Sequence, residues 1–104
     1  MTPKLSPRTR QLVELIFSSK DVAEASQWLE EECGNNLPSC AKQDEFGMER
    51  IRFAALKISK GNMLKLLNAI DEARMDWRDL LMAANFGFDV NAHENWVEDV
   101  LGKP

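Results

Sequence analysis

The chain contains no tyrosine, a single histidine (His93), two cysteines (Cys33 and Cys40) and few β-branched residues. Each scarcity excludes something. Sheets draw on β-branched and aromatic side chains, so their shortage beside abundant Leu, Ala, Glu and Met favours helix. One histidine with two separated cysteines does not complete a tetrahedral zinc site without carboxylates or a second chain, and the cysteines lack the C-x-x-C spacing of a redox pair. There is no glycine-rich phosphate loop, because Gly34, Gly61 and Gly87 each fall where a helix is expected to end. No apolar run approaches the roughly 20 residues that span a bilayer, and the N-terminus lacks the apolar stretch of a secretion signal. These absences predict a cytoplasmic protein with reduced thiols, no membrane contact, no cofactor and no metal.

What is present fits one globular domain spanning 1–104, with 1–5 read as a disordered tail. The apolar fraction is 44% and the charged fraction 29%, both ordinary for a folded chain. The formal net charge of −4 sets the chain against phosphate backbones and anionic membranes. Charge is distributed in blocks. Lys4, Arg8, Arg10 and Lys20 face Glu14 alone in the first stretch, and Asp21, Glu24, Glu30, Glu31 and Glu32 follow with no basic residue among them. A second basic block holds Arg50, Arg52, Lys57 and Lys60 against Glu49, and the C-terminal part is acidic again. Such blocks suit solvated helix faces that complement one another or the helix dipoles.

Periodicity and stop signals divide the chain into six helical segments. Ser6-Pro7 is a capping hydroxyl followed by a first-turn proline, and Leu12, Leu15 and Ile16 then share a face, widened by Val13 and Phe17. Ser18 with Asp21 opens a second segment, in which Val22, Ala25, Leu29 and Cys33 form a narrow stripe that Gly34 ends. Residues 34–43 read as the longest loop. The third segment, about 44–60, is apolar on two sides: Met48, Ile51, Ala54, Ala55 and Ile58 on one, Phe53 and Leu56 on the other. A helix of that kind lies between neighbours. Asn62 caps a fourth segment with Met63, Leu66, Leu67, Ile70 and Ala73 inward. Asp76 opens a fifth with Trp77, Leu80, Leu81 and Ala84 inward, and Asn85 to Phe88 form a turn. Asn91 with Glu94 has the spacing of a capping box for the last segment, whose stripe is His93, Trp96, Val97, Val100 and Leu101. The expected fold is an all-α compact bundle of five to six short helices, with the third in the centre.

No residue set demands catalysis. His93 lies on an apolar stripe near a helix N-terminus, where a packing role and a neutral ring are expected. Cys33 reads as core and Cys40 as a loop thiol. Glu30, Glu31 and Glu32 are consecutive, so their side chains diverge by about 100° each and cannot converge on one ion. Three tryptophans and five phenylalanines are a generous allotment, and tryptophan is enriched at binding hot spots, although most aromatics fill cores.

Candidate partner-binding residues are Trp28 beside Glu24 and Glu31, the off-face Leu64 and Met82, and Asn36-Leu37 ahead of Pro38 in the loop. The plainer reading of that loop tucks Leu37 onto the core. The alternative is nucleic-acid binding through a basic stripe of Arg50, Lys57 and Lys60, although Phe53 and Leu56 suggest that this side is partly covered. A helix-turn-helix reading of the fourth and fifth segments offers only Arg78 among Asp76 and Asp79. The sequence thus predicts a non-catalytic interaction or regulatory domain: a small acidic adaptor, or an antidote covering a basic enzyme. It would bind another protein or a second copy of itself.

Overall fold

The computed structural model describes residues 5–33, 45–87 and 91–102, with backbone alone for 45–48. The expectations for residues 1–4, for the 34–43 loop with Asn36, Leu37 and Cys40, and for Phe88 lie outside these. The described residues form five helices and no strand, in the order α1 (Pro7–Ile16), α2 (Val22–Glu32), α3 (Glu45–Ser59), α4 (Met63–Ala83) and α5 (Ala92–Leu101). The all-α bundle measures 31 × 26 × 23 Å.

Capping chemistry accounts for most of the boundaries. The Ser6 hydroxyl accepts the Thr9 amide at 3.2 Å with Pro7 in the first turn, and the Asn62 side chain accepts the Lys65 amide at 3.0 Å. The fourth and fifth expected segments meet without a linker. Asp76 has extended backbone (φ −155°, ψ 98°) inside α4, and its Oδ1 accepts the Arg78 amide at 3.1 Å. Asp76 therefore starts a second helical run as its residue type suggests, but the first run continues directly into it. Asn91 makes no side-chain cap. The capping box expected there does not form, because the Glu94 carboxylate is bound by Arg8 of α1 instead.

Two turns depend on left-handed residues. Lys60 (φ +50°) and Gly61 (φ +82°) end α3. A Cβ on Gly61 would lie 2.5 Å from the carbonyl oxygen of Ile16, so glycine is required there both by conformation and by the approach of the α1 terminus. Asn85 (φ +64°) ends α4: the Phe86 amide donates to Leu81 O at 2.8 Å and the Asn85 amide to Met82 O at 3.0 Å. That pair of bonds is a Schellman motif, with buried Phe86 packing inward beyond it.

Helix α3 is the centre of the molecule. Ile51, Arg52, Phe53, Ala54, Ala55 and Leu56 are buried in succession, more than one full turn with no outward side. It packs against α1, α4 and α5, most extensively against α4. Leu12, Val13, Phe17, Ala25, Leu29, Leu66, Ile70, Ala73, Leu80 and Leu81 close the core around it. Leu5 belongs to this core too, at 5% exposure, so the last residue of the expected tail is ordered into the bundle.

Leu15 departs from expectation. It was placed on the inner face of α1 but is 59% exposed. The buried stripe is Leu5, Thr9, Leu12 and Val13, with Ile16 partly covered. At 100° per residue the centre of its helical members Thr9, Leu12 and Val13 lies about 110° from Leu15. The polar Thr9 takes the central position, its hydroxyl 2.9 Å from the Ser6 oxygen.

Candidate protein-binding surface

The outward side of α2 is formed by Ala23, Glu24, Gln27 and Glu31, with Trp28 half-buried at its edge. The indole of Trp28 packs on the core, and its Nε1 donates to Glu24 Oε2 at 3.3 Å. One step round, Gln27 Nε2 donates to Glu31 at 3.4 Å. These two (i, i+4) pairs run side by side along the helix. The indole edge is held by a carboxylate, and both Glu24 and Glu31 keep their charge toward solvent. Within the described residues, neither is in an ion pair. At the end of this region Glu32 meets Arg74 of α4 at 3.3 Å.

Leu64 and Met82 are exposed as their off-face positions suggested, at 67% and 59%. They do not join Trp28 in one patch. Eighteen positions and the break at Asp76 separate them on α4, and the outer face between them carries Asn68, Asp71, Met75 and Arg78. Met75, not anticipated from sequence, is the most exposed large apolar side chain among the described residues at 86%, immediately before the break at Asp76. The exposed Leu15 lines an open groove of about 430 Å³ between α1 and α5 with Gln11, Glu14, Val100 and Leu101. Among the described residues the large exposed apolar side chains are thus Leu64, Met75 and Met82, spaced along α4 across its break, and Leu15 on α1.

The basic stripe of α3 is turned inward. Arg50 Nη2 donates to the Phe86 carbonyl at 2.5 Å. Lys57 Nζ donates to the Ala84 carbonyl at 2.7 Å and sits 5.0 Å from the centre of the Phe86 ring. Both cations hold the turn that ends α4, at the negative end of its dipole. Lys60 alone of the three is exposed. Arg52, a member of the same basic block, is buried, its Nε donating to the Cys33 carbonyl at 2.9 Å where α2 ends.

A second polar cluster joins three helices. Arg8 of α1 binds Glu94 of α5, and its Nη2 is 3.1 Å from Glu49 Oε2 of α3. The same guanidinium lies 5.4 Å from the centre of the Phe53 ring. The hydrogen bond from Arg8 holds the Glu94 carboxyl below the usual carboxylate range and raises the Arg8 guanidinium above its ordinary value. Behind this cluster His93 is fully buried between Phe53 and Phe86, at ring-centre distances of 5.9 and 6.2 Å, with Nε2 3.4 Å from Glu94 Oε1. Burial, with Arg50 and Arg8 nearby, lowers its pKa from the ordinary histidine value against the opposing pull of Glu94 and Glu49. No sequence periodicity indicated this cluster, since its members lie 41 and 86 positions apart.

Among the described residues no group of histidine, cysteine and acidic side chains is arranged to hold a metal ion, and no helix is long and apolar enough to cross a membrane. Comparison with known proteins finds no matching family model, no matching curated sequence and no matching solved structure. The functional reading accordingly rests on this chain's own residues.

Proposed function

We propose that this chain is a non-catalytic protein-binding module whose contact face is the outer side of α2, presented to a basic surface on its partner. One observation carries the reading: Glu24 and Glu31 point outward, without a cationic partner among the described residues, beside a tryptophan held at its edge, while Arg50 and Lys57 of α3 are bonded to the molecule's own carbonyls. An acidic rim steers association with a basic partner, and a positioned indole supplies apolar contact at small entropic cost. The adaptor and antidote roles both use such a face. Either is compatible with a protein working in the cytoplasm.

The test is capture from a native-host lysate on immobilised chain. Wild type is expected to retain a stoichiometric protein that elutes as salt rises, and the Glu24→Lys/Glu31→Lys variant to lose it. A wild-type chain that captures nothing stoichiometric and stays monomeric overturns the proposal, as does a captured protein indifferent to both substitutions.

A further inference from the structure

Helix α5 is attached more lightly than the others and carries the molecule's one histidine at its second position. It packs on α1 and α3, far less extensively than α3 packs on α4. It buries His93 and Val97, and Ala92, Trp96, Val100 and Leu101 pack on the core partly covered. Trp96 rests on the same two rings that enclose His93, 6.4 Å from Phe53 and 6.0 Å from Phe86. A polar tie is the ion pair of Glu94 with Arg8.

We propose that His93 is an acid-operated latch: taking up a proton frees α5 from α1 and α3 while α1 to α4 stay folded.

The charges around the ring make the docked site a poor one for an imidazolium. From α5 itself comes Glu94, 3.4 Å away. From α3 come Glu49 and Arg50, and from α1 Arg8. Lys57, also of α3, approaches the Phe86 ring that forms one wall. The two carboxylates are already bridged by the Arg8 guanidinium. A proton on His93 therefore adds positive charge to a cluster whose negative groups are engaged, inside an aromatic box, beside the amide-rich start of a helix. The docked ring resists protonation for these reasons, with burial the largest.

The sign follows from linkage. Released, the ring has the ordinary histidine pKa of about 6.5. Docked, its pKa is lower. Above 6.5 neither state carries the proton and docking is unaffected. As pH falls below 6.5 only the released state binds it, so release is favoured until the docked pKa is passed. One proton limits the effect to a tenfold rise in the release equilibrium per pH unit. The depressed Glu94 carboxyl remains ionised over this interval, so loss of its bond to Arg8 is not the trigger.

The experiment is amide NMR of the full chain from pH 7.5 to 5.0 at constant ionic strength. The amides of residues 92–101 are expected to leave their docked positions below 6.5, while those of 51–56 in α3 keep theirs. His93→Phe fills the aromatic box without a titratable group, and His93→Gln is a neutral polar second variant should the first not fold. Whichever folds is expected to keep α5 docked to pH 5.0. An α5 that stays docked in wild type, an α5 that melts only together with α3, or a folded variant with the wild-type transition overturns the proposal.

Discussion

Helices α2 and α3 carry charge of opposite sign and direct it oppositely. In α3, Arg50, Arg52 and Lys57 reach carbonyls of Phe86, Cys33 and Ala84, so each cation holds the end of a neighbouring segment. In α2, Glu24 and Glu31 face solvent, and among the described residues they bond only within their own helix. Composition treats these blocks alike, as solvated faces of opposite sign. Position separates them: α3 is surrounded, so its long cationic stems run along apolar neighbours to reach polar ends, whereas α2 has one side against the bundle and one side free. The lesson is that a basic stripe on a central helix is evidence of internal caps before it is evidence of a nucleic-acid site.

The contrast is broken most severely at Arg52. Arg52→Ala removes the donor to Cys33 O and opens a void in the centre, and is expected to cost about 3 kcal/mol of unfolding free energy, the scale of a severed buried charge contact. Urea denaturation reads this, and a cost near zero would show that the arginine is not what fixes the end of α2 to α3. Lys57→Met keeps the stem over Phe86 but loses the bond to Ala84 O; the expected loss is about 1–2 kcal/mol, in the range of a hydrogen bond to a charged group. A stabilised Lys57→Met would reverse the inward half of the comparison. Glu24→Gln with Glu31→Gln tests the outward half. It is expected to change stability by less than about 0.5 kcal/mol, and a thermal melt well below wild type would mean that these carboxylates support the fold.

Much of the architecture was legible because helix starts and stops are local. Ser6, Asn62, Asp76, Gly61 and Asn85 each act within a few residues of their position, and the two apolar sides of 44–60 announced a central helix. What was not legible was set by distance. Glu94 has the spacing of a capping residue, but Arg8, 86 positions away, outcompetes the amide it would have bound. Leu15 looked inward because the first helix offered two apolar arcs, and only the neighbours decide which is covered. The same holds for the site. Trp28 beside Glu24 follows from (i, i+4) spacing, whereas the break at Asp76 that divides Met75 from Met82 without a linker required the fold.

The contact of Gly61 with the end of α1 bears on descent. Any side chain at that position meets the Ile16 carbonyl at 2.5 Å and a φ of +82° as well, so divergence that erases overall likeness has little freedom there. A remote cousin of this chain would betray itself by a glycine closing one amphipathic helix, with Asn, Asp, Ser or Thr opening the next, some 45 positions after the terminus of a Ser-Pro-started helix.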